Sequence, residues 1–144
     1  MTTRREQHMS SSTVLLGVVL ALGGLGIRQS FGAPAPELTR SHTAGDVTVT
    51  VTYLNPQNAE DARFLVLLDT HSVNLDKYHL KNLSLIHDDK GQMYQPKEIE
   101  SKGVGHHREV TLIFAKPSQD ASRIELVIKE IAGVDKRSFR WELR

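Results

Sequence analysis

From Asp46 onward, apolar and polar residues alternate with a period of two through most of the chain. In Asp46 to Leu54 (DVTVTVTYL), Val47, Val49, Val51 and Tyr53 share one face, and Thr48, Thr50 and Thr52 share the other. That is the pattern of a half-buried strand. Asn55-Pro56-Gln57-Asn58 closes it as a turn. Arg63 to Thr70 (RFLVLLDT) is apolar on both faces, which suits an interior strand. Val73 to Leu83 is irregular and fits a loop or a short helical turn. Leu83 to His87 and Gln92 to Gln95 flank Asp88-Asp89-Lys90-Gly91, a hairpin signature with glycine in the left-handed position. Pro96 to Ser101 reads as a connector. Arg108 to Ala115 and Arg123 to Ile131 alternate again, Gly133 and Asp135 mark a hairpin loop, and Arg137 to Leu143 closes the chain with Phe139, Trp141 and Leu143 inward. Lys136, Arg137 and Arg140 read as a small basic face of that last strand. Such a face is either solvated or docks a partner, and at a sheet edge it discourages unwanted pairing.

About seven short strands with turn signals between them predict an all-β fold, an immunoglobulin-like antiparallel β-sandwich over residues 46–144. Nothing supplies the crossover helices that a parallel sheet needs. Upstream, residues 34–45 (PAPELTRSHTAG) are rich in Pro, Ser, Thr and Gly and read as a flexible linker carrying His42. Residues 1–33 read as a signal peptide or an uncleaved signal-anchor helix: Arg4 and Arg5, an apolar run of 14 residues from Val14 to Ile27, then small residues. As a helix that run spans about 21 Å, short of the roughly 30 Å hydrocarbon core. Export to the periplasm, cell envelope or exterior follows.

Composition narrows the chemistry. Of 144 residues, 39% are hydrophobic and 24% charged, as in an ordinary globular domain, and the net charge is +1. Past residue 45 the signs are nearly balanced and interspersed, which argues against a nucleic-acid surface. With no cysteine, disulfides, thiol catalysis and thiolate metal sites are excluded, and the fold must stand on its core.

The densest coordinating chemistry is Gly103-Val104-Gly105-His106-His107-Arg108, at the entry to a strand. An exported chain without thiols would hold copper or zinc through imidazole and carboxylate, so the candidate metal ligands are His71, His106, His107 and Asp69. Asp69 and His71 share a face if their strand continues, whereas His106 and His107 face opposite ways unless the glycines free the backbone. The competing reading has these histidines shaping loops in a protein-interaction or structural accessory domain of the envelope. Catalysis is not expected: Asp69, His71 and Ser72 lack triad spacing, and Asp88 to Gly91 lacks the spacing of a calcium loop.

The combination Asp69-Thr70-His71-Ser72-Val73, Asp88-Asp89-x-Gly91-x-x-Tyr94-x-Pro96, Gly105-His106-His107-Arg108 and Gly133-Val134 through Phe139-Arg140-Trp141 resembles small exported immunoglobulin-like β-sandwich domains of uncharacterised function. In size and pattern the body is also similar to exported copper-binding modules. The histidine and methionine-rich ligand loops of those modules have no counterpart here. The resemblance implies a β-sandwich and an exported compartment.

Overall fold

The computed structural model describes residues 36–57 and 60–143. Among them nine strands follow one another: β1 (Thr39–Ala44), β2 (Val47–Tyr53), β3 (Asp61–Thr70), β4 (Ser84–Asp88), β5 (Met93–Tyr94), β6 (Pro96–Lys102), β7 (His107–Ala115), β8 (Arg123–Ile131) and β9 (Val134–Glu142). They form two antiparallel sheets, ordered β1-β2-β3-β7-β6 and β5-β4-β8-β9. A 3-10 turn at Pro36–Leu38 leads into β1, and one helical turn, α1 (Leu80–Leu83), leads into β4.

Alternation builds the core. Val47, Val49 and Val51 of β2, Phe64 and Val66 of β3, and Leu112 and Phe114 of β7 point at Ile86, Ile124, Leu126, Ile128, Phe139 and Trp141 of the other sheet, all in one buried cluster. Its centre is aromatic: Tyr53 stacks on Phe64 at 4.6 Å, and Trp141 meets both rings, at 6.0 Å and 5.2 Å. The Nε1–H of Trp141 donates to the Leu38 carbonyl at 2.9 Å, so the segment ahead of β1 completes the packing.

Two strands depart from the reading of the sequence. β1 lies within the expected linker of residues 34–45, and β6 coincides with the expected connector, which brings about seven strands to nine among the described residues. Both are outer strands of the five-stranded sheet. Each pairs through its backbone while half of the side chains of β1 and most of those of β6 stay in solvent, so neither carries the apolar alternation that marks a half-buried strand.

Arg137 is a second correction. It is not part of an outward basic face with Lys136 and Arg140. It points inward with Phe139 and Trp141 and is 1% exposed. Its guanidinium donates to the Ile131 carbonyl at 2.8 Å and the Ala44 carbonyl at 2.7 Å, fastening the β8–β9 turn to the end of β1. Burial pulls its pKa down from the usual arginine value. The same corner is closed by Gly45, at φ 58°, where an added Cβ would strike the Ala132 carbonyl.

The signal or anchor segment expected over residues 1–33 lies outside the described residues. Among the described residues no helix is long and apolar enough to cross a membrane.

Candidate functional site

The histidine pair sits where β3 ends and β7 begins. In the β3–β7 register Asp69 is the partner of His107, and both side chains point outward, so Nδ1 of His107 lies 2.9 Å from Oδ1 of Asp69. His106 precedes β7 and turns elsewhere. Its carbonyl accepts from the Thr70 N–H at 3.1 Å, and its ring Nδ1 lies 3.0 Å from the Val73 carbonyl. A carbonyl can only accept, so this contact requires a proton on Nδ1.

Around His106 the loop after β3 is tied to the loop before β7. Leu75 donates to the Gly105 carbonyl at 2.9 Å, Gly105 N–H to Asp76 Oδ1 at 2.9 Å, and Arg108 to the carbonyls of Leu75 and Tyr78 at 2.8 and 2.9 Å. The Thr70 hydroxyl donates to the Asp46 carbonyl and accepts from the amides of Ser72 and Val73. Gly103, at φ 77°, is required because an added Cβ would lie 2.5 Å from the His107 carbonyl oxygen. His71 is exposed on the bend after β3. Of the four expected ligands, the structure joins Asp69 to His107 and commits His106 to the loop, while His71 lines a shallow depression together with Asp69, Thr43 and Thr48. Among the described residues no group of three or more His, Cys, Asp or Glu could hold a metal ion.

A second polar centre crosses the four-stranded sheet. His87, Glu125 and Arg140 are neighbours in one row of β4, β8 and β9, with Glu125 3.1 Å from His87 Nε2 and 3.3 Å from Arg140 Nε. Burial raises the Glu125 carboxyl, but hydrogen bonds from Ser138 and Arg140 and the charges of Arg140 and His87 outweigh it and hold the group below its usual value. At the β4–β5 turn, burial likewise raises Asp88. The bonds it accepts from Ser118, Gln92 and Tyr94 prevail and hold it well below the carboxylate range. These carboxylates are fully engaged by their own chain.

The surface that reading the sequence missed is the outer face of the five-stranded sheet. Thr39, Ser41 and Thr43 of β1 pair across the sheet with Thr52, Thr50 and Thr48 of β2. Their hydroxyls bond each other at 3.0, 3.0 and 2.9 Å. Leu65 and Leu67 continue this face on β3, with Leu67 39% exposed. Charge flanks them on both sides: Asp61 and Arg63 precede Leu65 on the same face of β3, and Lys102–Glu109, 3.7 Å apart, and Asp69–His107 lie beside and beyond Leu67. Leu67, Asp69, Lys102, His107 and Glu109 line a shallow depression of about 380 Å3 there. A signal for this face exists in the sequence: hydroxyl residues recur at every second position in both Thr39–Thr43 and Thr48–Thr52.

No protein-family model, no curated protein and no solved structure matches the chain.

Proposed function

We propose that the protein is an exported, non-catalytic binding module of the immunoglobulin-like β-sandwich type, and that it docks a protein partner of the cell envelope on the outer face of its five-stranded sheet. The carrying observation is the set of three mutually bonded hydroxyl pairs beside Leu65 and Leu67. Covering a polar group is costly when it loses water without gaining a partner. Here each pair already satisfies one of its two O–H donors, and Thr52 is already buried, so covering the face costs less than covering free hydroxyls. Depletion of charge at the centre with a charged rim also matches the anatomy of protein interfaces. The antiparallel two-sheet body and its size support the immunoglobulin-like type, and the apolar run in residues 14–27 supports export.

Photo-crosslinking in the native envelope tests this. A photoreactive residue at Leu67 is expected to give one discrete protein adduct whose yield falls when Thr50→Arg places a charge on the face. The same probe at Met93, exposed on the other sheet, is expected to give none. No adduct at Leu67, or an equal one at Met93, refutes the docking face.

A second reading keeps a copper or zinc ion at the rim. The contact between Asp69 and His107 favours it, since it brings a carboxylate and an imidazole together. Titration with Cu(II) or Zn(II) would then show about one equivalent bound, lost in His107→Ala or Asp69→Ala and kept in His106→Ala. Binding that is absent, or indifferent to His107, rejects it.

A further inference from the structure

β9 is the outer strand of the four-stranded sheet, and along its nine residues one backbone edge pairs with no strand among the described residues, although β1 of the other sheet runs close to β9. Lys136, Ser138, Arg140 and Glu142 lie on its exposed outer face. Among the described residues Arg140 is balanced by Glu125, but Lys136 is not balanced. Lys136 stands directly opposite Lys129 of β8, also exposed, and neither forms a salt bridge among the described residues. Like charges opposite one another weaken an antiparallel pair. Glu142, at the other end, faces Arg123.

We propose that a second copy of this chain pairs antiparallel along β9 about a two-fold axis at Phe139, joining two four-stranded sheets into one. Side-chain alternation allows only registers centred on a residue, because a half-step would set inward residues against outward ones. Centring on Ser138 gives the longest overlap but sets Lys136 against Arg140 of the other copy. Centring on Arg137 leaves Lys136 facing Ser138 and Glu142 facing nothing. Centring on Phe139 overlaps residues 136–142 of both copies and places each Lys136 opposite the other copy's Glu142. Two opposite-charge pairs then flank the axis, and each relieves a Lys129–Lys136 repulsion. Arg140 keeps its own Glu125 and faces Ser138. Lysine and arginine on an edge usually deter pairing. Here they deter the register of longest overlap, and the charge pairs favour the one centred on Phe139 over that centred on Arg137. The interface is isologous, as two-fold symmetry requires.

A single added strand pair is at the small end of specific interfaces, below about 1,200 Å2, so association is expected at protein concentrations of roughly 0.1–1 mM. Sedimentation equilibrium of the full chain in that range should show a monomer–dimer equilibrium. Lys136→Glu should weaken it about tenfold or more, and Lys136→Glu with Glu142→Lys in one chain should restore it, since both symmetric pairs are reversed together. The chain has no cysteine, so mixing Ser138→Cys and Arg140→Cys chains under mild oxidation should give the mixed disulfide faster than either variant alone. Facing Cα atoms of an antiparallel pair, about 4.5–5.5 Å apart, fall within the span a disulfide bridges, and this readout stands if a charge-reversed variant proves unstable. A monomer throughout that range, a dimer indifferent to Lys136→Glu, or no preference for the mixed disulfide overturns the proposal.

Discussion

Arg137 shows how one side chain can hold a corner of the molecule. Its two carbonyl acceptors, on Ile131 and Ala44, belong to different sheets, and the planar guanidinium reaches both at once. Arg137→Met fills similar volume but leaves both carbonyls without their donor. Hydrogen bonds to a charged donor are worth about 1.5–3 kcal/mol each, so the variant should lose at least about 2 kcal/mol in urea unfolding. An unchanged midpoint would show that apolar packing alone suffices there, as happens for some buried ion pairs. Arg137→Lys should lose nearly as much, because one ammonium on a flexible stem does not reproduce the fork.

Among the elements, the two outer strands of the five-stranded sheet carry the lesson. β1 looks dispensable by composition, yet it supplies the Leu38–Trp141 bond just ahead of it, the Ala44–Arg137 bond at its end and all three hydroxyl pairs. A chain beginning at Asp46 would leave Trp141 Nε1 and one arm of Arg137 unpaired and uncover that side of the aromatic centre. It should be destabilised by roughly 3 kcal/mol or more, given about 1–3 kcal/mol per orphaned buried polar group, whereas a chain beginning at Pro36 should match the full body. Thermal melts of the two truncations decide whether residues 36–45 are linker or fold.

The stability of the whole molecule should depend on pH through its engaged carboxylates. Asp88 and Glu125 are both held below their usual values in the folded state. Groups depressed by folding add stability that is fully present above the unfolded value, near 4 for carboxylates. That stability is lost as pH falls toward the folded value. The urea midpoint should therefore be flat near neutrality and drop below about pH 4. Asp88→Asn should cost about 2 kcal/mol at pH 7, where the ionised group accepts from Lys90, Gln92, Tyr94 and Ser118. The difference from the parent should shrink toward pH 2. A constant difference across that span would mean that Asp88 acts through packing rather than charge.

Where burial writes the pattern, the chain could be read directly: Val47–Tyr53, the doubly apolar run in β3 and the alternation in β7, β8 and β9 each follow from having one or two faces in the core. The split of the histidine pair was also half legible, since adjacent residues at a strand entry diverge. Tertiary structure decided the rest. β1 and β6 are strands because a neighbour offers backbone hydrogen bonds, which depend little on side-chain identity and so leave no apolar period. Alternation placed Arg137 inward and charge argued for outward. The contest was settled by two carbonyls that only folding brings within reach. Whether Asp69 would meet His106 or His107 rested on the register of β3 against β7, and register is a property of the pair rather than of either strand.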